Sequence, residues 1–114
     1  MSAAAPTGWF PRRGEVYLVS LDKPRPAIVL STDALNRHVL DVCVVPLSTI
    51  EHRKFSLRIP IRAHEGGLNH DSWAKCDQLT TIEKTRLRYP PLGRLKRETL
   101  GRIEDAIKLA LELP

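Results

Sequence analysis

Glu15-Val16-Tyr17-Leu18-Val19-Ser20-Leu21 (EVYLVSL) and Pro26-Ala27-Ile28-Val29-Leu30-Ser31 (PAIVLS), joined by Asp22-Lys23-Pro24-Arg25, decide how this chain folds. Both runs are short, rich in β-formers and bounded by breakers, Gly14 before the first and Lys23-Pro24 after it, so each reads as a strand. A connection this short implies a hairpin.

Downstream, Thr32-Asp33-Ala34-Leu35-Asn36 suits a capped single helical turn, because a Thr or Asp oxygen accepts from free amides. Asp41 to Leu47 (DVCVVPL) reads as a third strand, with Pro46 marking an edge or an exit from the sheet. Ser48 to Lys54 is polar and basic and reads as a loop. Phe55 to Ile61 alternates apolar with polar residues and predicts a half-exposed strand. Ala63 to Asp71, with Gly66-Gly67, reads as a loop, Ser72 to Leu79 as a weaker strand, and Leu87 to Leu95, with Pro90, Pro91 and Gly93, as a turn. Arg97 to Leu113 predicts a helix whose Leu100, Ile103, Ile107, Ala110 and Leu111 form one apolar stripe. Short strands followed by one covering helix give an α+β, mainly β layout: a small, strongly bent antiparallel sheet or barrel.

Composition narrows the function. The 114 residues hold 18 Lys plus Arg against 13 Asp plus Glu, a net charge of +5, which favours a polyanionic partner. No apolar run approaches the ~18 residues of a membrane helix. Residues 1–11 lack the basic and apolar regions of a secretory signal and read as a loosely ordered arm, with Trp9 and Phe10 placed to pin its end, before a single domain over 12–114. Cys43 and Cys76 form no Cys-x-x-Cys. His38, His52, His64 and His70 have no metal-ligand spacing, so neither a metal nor a cofactor is expected. The default location is the cytoplasm.

Gly14-Glu15-Val16-Tyr17-Leu18-Val19 resembles the first strand of the MazF/PemK toxins, and Arg25-Pro26-Ala27-Ile28-Val29-Leu30-Ser31 their second. Val45-Pro46-Leu47-Ser48-Thr49, Gly67-Leu68, Asp71-Ser72, Cys76-Asp77-Gln78-Leu79-Thr80-Thr81-Ile82-Glu83-Lys84 and Leu92-Gly93-Arg94-Leu95 resemble later segments of that family, in the same order. The resemblance runs from about Arg12 to Leu113. It implies an SH3-like barrel with a C-terminal helix, acting as a homodimer. It further implies a type II toxin that cuts single-stranded RNA without a metal and is covered by a small acidic antitoxin. Two positions differ from the family pattern: the loop before Arg25 is short, and Ser48 stands where Thr is usual.

Metal-free RNA cleavage uses the 2′-hydroxyl as nucleophile, so the protein must stabilise a phosphorane and move protons. Arg25 suits the charge task, since a planar, permanent cation holds two phosphate oxygens. It equally suits pairing with Asp22. Ser48 can donate to a phosphoryl oxygen or cap its own loop. These two are the candidate catalytic residues. Candidate RNA contacts are Lys23, Thr32, Thr49, His52, Arg53, Lys54, Asp77, Gln78 and Arg86. His52 can relay a proton or be a solvated loop residue. Gln78 and Asp77 can read base edges or stabilise a turn, and Trp73 can stack on a base or fill the core. Arg37, Arg58 and Arg62 extend the basic set.

Two other classes fit the same fold. One is a toxin that inhibits a protein target such as gyrase without cutting RNA. The other is an RNA-binding module without turnover. The Arg25 and Ser48 pair and the basic excess favour the nuclease.

Overall fold

A computed structural model describes residues 4–20, 22–50 and 57–114. The strands are β1 (Glu15–Val19), β2 (Arg25–Val29), β3 (Asp41–Ser48), β4 (Arg58–Ile61), β5 (Ser72–Lys75), β6 (Thr80–Glu83) and β7 (Gly93–Arg94). The helices are α1 (Asp33–His38) and α2 (Arg97–Leu111), with 3-10 turns at Glu65–Gly67, Cys76–Gln78 and Lys84–Arg86. The strands run in the order β4-β5-β3-β2-β1-β7, and β6 joins β3 as well. All pairs are antiparallel. The result is the expected small, curled antiparallel barrel, open as a half-barrel, with a C-terminal helix.

β3 causes the curl. Its first half pairs with β6, Asp41 opposite Glu83 through Val44 opposite Thr80. On the same edge its last residues pair with β5, Leu47 opposite Ala74 and Ser48 opposite Trp73. Its other edge is held by β2 across the middle of the strand, Val29 opposite Val44 to Ala27 opposite Pro46. A strand with two successive partners on one edge must bend between them. Pro46 stands at that bend. Cys43 points its carbonyl toward β2, where Leu30 N–H donates to it at 2.9 Å. By alternation Pro46 turns its nitrogen to the opposite edge, in the gap between β6 and β5. The expected edge position is therefore corrected: β3 is the central strand, and proline is tolerated because its missing N–H falls where no partner strand runs.

Both faces of the sheet are packed. Val16, Ile28, Val45, Leu47, Ile61, Ala74 and Cys76 meet Ile103 and Ala106 of α2. Tyr17, Val19, Ala27, Val29, Val42 and Val44 form a second core on the other face, closed by Leu87 and flanked by Trp9 and Ile82. Trp9 lies edge-on to Tyr17 and to Tyr89, ring centroids 6.0 Å apart in each case. The buried stripe of α2 is Thr99, Ile103 and Ala106, so the expected stripe is rotated. Leu100, Ile107 and Ala110 are half-buried, while Leu111 is 53% exposed.

Other boundaries shift for local reasons. β2 begins at Arg25, which already pairs with Val19. The strand expected over Ser72–Leu79 stops at Lys75, where the 3-10 turn buries Cys76. β6 and β7 lie where no strand is expected. Gly93 is required by close approach, since a Cβ there would meet the Gly66 carbonyl carbon at 2.5 Å. Among the described residues no helix is long and apolar enough to cross a membrane.

Candidate active site

The registers place the two candidate catalytic residues on one line. Val19 is opposite Arg25, Ser48 opposite Trp73, and Trp73 opposite Pro60. Continuing the β2–β3 register past Ala27 and Pro46 sets Arg25 opposite Ser48. Opposed residues share a face, and neighbouring strands lie about 4.8 Å apart. Val19, Arg25, Ser48, Trp73 and Pro60 thus form a row across five strands. By alternation this row edges the second core, on the face away from α2.

Arg25 is exposed because β2 starts there, two residues before its first buried position at Ala27. With Ser20, Asp22, Lys23 and Arg86 it lines an open cavity of about 620 Å³. Arg86 is delivered by the segment after β6. Ser20 N–H donates to the Arg86 carbonyl at 2.9 Å, and an Arg86 Nη donates to the Ser20 carbonyl at 3.2 Å. Arg88 donates from Nε to Ser20 Oγ at 2.8 Å, which holds the cavity wall in place. Three cations in one concavity make a field suited to phosphate. Asp22 moderates it.

Ser48 is half-buried, and its Oγ accepts from Ile50 N–H at 3.0 Å. The self-capping turn weighed for this serine is therefore present. It occupies an acceptor lone pair and leaves the hydroxyl proton to donate. Thr49 follows, exposed.

The other candidates are placed as follows. Lys23 and Arg86 share the cavity with Arg25. Thr32 lies beyond the far end of β2 and caps α1, its side chain accepting from Leu35 N–H at 3.4 Å. Asp77 and Gln78 sit in the turn after β5 and do not line the Arg25 cavity. Asp77 faces Arg58 at 3.5 Å, with the Arg58 side chain only 8% exposed, so that arginine serves an ion pair. Arg37 projects from α1 over the Phe10 ring, 5.9 Å from its centroid. His52, Arg53 and Lys54 lie outside the described residues. Ser20 also lines the cavity, and nothing in a serine just past a strand marks it in the sequence as a cavity wall.

Two buried groups titrate abnormally, both away from the cavity. Burial pushes the Cys76 thiol up to about 11, with Asp77 adding and Arg58 opposing. Burial, and then the hydrogen bond to Glu15, raise the Tyr17 phenol above its ordinary range. Both groups are neutral at physiological pH.

A curled barrel with a C-terminal helix and a cationic cavity on the uncovered face defines a class. The chain belongs to the PemK-like, MazF-like toxins of type II toxin–antitoxin systems, whose family model matches residues 12–111. It is 30% identical over 115 residues to Endoribonuclease MazF9 of Mycobacterium tuberculosis, covering 90% of this chain and 97% of that one. It is 27% identical over 111 residues to Endoribonuclease EndoA of Bacillus subtilis, covering 90% and 95%. A solved mycobacterial endoribonuclease in complex with its cognate antitoxin superposes with a TM-score of 0.80 at 30% identity, covering 91% of this chain and 97% of that one. These relatives give the gyrase alternative no support.

Proposed function

We propose that this toxin is an endoribonuclease that cuts single-stranded RNA without a metal. The substrate's 2′-hydroxyl attacks the adjacent phosphorus, the 5′-oxygen leaves, and the products carry a 2′,3′-cyclic phosphate and a 5′-hydroxyl. The single observation behind this reading is the cationic cavity that Arg25 shares with Lys23 and Arg86; the β2–β3 register, extended two residues past Ala27 and Pro46, brings Ser48 to the neighbouring strand, outside the lining of that cavity. The guanidinium binds two nonbridging oxygens and gains most where the phosphorane concentrates charge. The Ser48 hydroxyl donates a further hydrogen bond to the same group. Proton transfer is not assigned to Arg25, because a guanidinium pKa above ~12 makes acceptance costly.

Lys23 and Arg86 hold flanking phosphates, and Thr49 lies at the rim. Trp73, next to Ser48 in the row and half-buried, is positioned for a base beside the scissile linkage. The protein acts in the cytoplasm, as a homodimer, on messenger RNA, and an acidic antitoxin covers the basic face. The resemblance to endoribonucleases and to an antitoxin-bound structure supports the RNA substrate and the antitoxin partner.

The test is incubation of the purified protein with a long RNA in EDTA. Discrete fragments ending in cyclic phosphate are expected. Intact RNA that is tightly bound would favour the binding module, and intact unbound RNA would favour a protein target.

A further inference from the structure

The second face carries another concavity besides the one at Arg25. It encloses about 340 Å³, and its walls include Trp9, Phe10, Arg12, Glu15, Tyr89 and Pro91. This is an aromatic site with charge at both rims. Arg12 lays its guanidinium over the Phe10 ring, 4.1 Å from the centroid. Its side chain is nevertheless 53% exposed. Trp9 and Tyr89 hold each other edge-on. Glu15 is anchored through Oε1, which accepts from the Tyr17 hydroxyl at 2.8 Å and from Arg12 N–H at 2.6 Å. The geometry points to a nucleobase-binding subsite: an unpaired base of the RNA strand stacks on the Arg12 plane between the aromatic walls.

Continuity with the Arg25 cavity supports RNA as the occupant. Glu15, Tyr17 and Val19 alternate onto one face of β1, and Val19 is the partner of Arg25. The two concavities therefore stand on the same face, at opposite ends of β1. The segment from Arg86 to Pro91 joins them, running antiparallel to β1: Arg88 N–H donates to the Leu18 carbonyl at 2.9 Å, and Leu92 N–H to that of Val16 at 2.7 Å. Arg86 lies in the first cavity, Tyr89 and Pro91 in the second, and Arg88 between them. A single strand leaving Arg25 along this segment meets a cation, then an aromatic and arginine platform, the combination that single-strand sites use.

This inference rests on the nuclease reading, and its test keeps the two apart. Fully 2′-O-methylated oligonucleotides, which cannot be cut, each carry one abasic position, walked along the strand. Binding is measured for the intact protein, Arg12→Ala and Arg12→Lys, with thermal unfolding confirming that both variants fold. For the intact protein, one abasic position displaced from the cleavage site weakens binding about tenfold, the scale of one stacking contact. Both variants lose that penalty, because lysine restores charge without a planar face. An abasic profile identical in all three proteins overturns the subsite. Failure of the intact protein to cut ordinary RNA would instead overturn the nuclease reading.

Discussion

The two faces of one sheet are closed in different ways. The face under α2 is sealed by a continuous element, with Ile103 and Ala106 set into a cluster that reaches from Val16 to Cys76. The other face is closed piecemeal by Leu87, Trp9 and Ile82 from three separate segments. Concavities still border that helix, one of about 440 Å³ beside Ile107 and Leu111 and one of about 520 Å³ beside Arg97 and Leu100, but neither gathers three unopposed cations. Scattered side chains leave concavities between them, and there Arg25, Lys23 and Arg86 meet solvent. Both faces thus carry core, and the proposed chemistry stands on the one that α2 leaves uncovered.

The largest effect tests the chemical face. Arg25→Ala lowers the cleavage rate by about a thousandfold, the scale of a lost oxyanion contact, with the unfolding midpoint unchanged. Wild-type turnover in this variant would remove Arg25 from the site. The converse change is Ile103→Ala, which costs about 2–5 kcal/mol of stability in urea unfolding while leaving cleavage per folded molecule intact. A large loss of turnover by fully folded Ile103→Ala would contradict the placement of the chemistry on the uncovered face. Smaller still, Lys23→Ala weakens RNA binding and flattens the log affinity against log salt plot by about 0.7, one phosphate contact on a single strand. An unaltered slope would place Lys23 off the RNA track.

The mildest prediction compares one buried group from each face. The Cys76 thiol has its pKa raised from 9.0 to about 11, and the Tyr17 phenol is also raised. For a group whose folded pKa is the higher, its stabilising contribution is complete below the unfolded pKa and is lost as pH rises through the folded one. Stability measured by denaturant therefore falls from pH 9 to 11. Cys76→Ala removes part of that fall, and Tyr17→Phe removes part of the decline above pH 10. At pH 7.5 neither substitution changes the pH slope. A flat profile in the unmodified protein contradicts the burial of both groups.

Much of this division could be read before any coordinates. The β1–β2 hairpin, β3 and α2 follow from compact apolar clusters and from helical spacing. The second core was harder, because successive residues of β1 and β2 are buried on opposite sides, and an unbroken apolar run does not say what covers each face. β6 is Thr-Thr-Ile-Glu with mostly exposed positions and is held by its pairing with β3, so composition carried little signal. The candidate site is legible as residue types, Arg25 and Ser48, but their juxtaposition depends on register. Thr32 shows the limit: the sequence offers it both as a helix cap and as an RNA contact, and the fold shows the cap, at the start of α1.

The most direct measurement is a double-mutant cycle on cleavage rate with Arg25→Lys and Ser48→Ala. If guanidinium and hydroxyl grip the same phosphoryl group, the double variant is less impaired than the product of the single losses, with a coupling of about tenfold. Strictly multiplicative losses would mean that the two groups act on different parts of the substrate, and the row across the sheet would not be the active site.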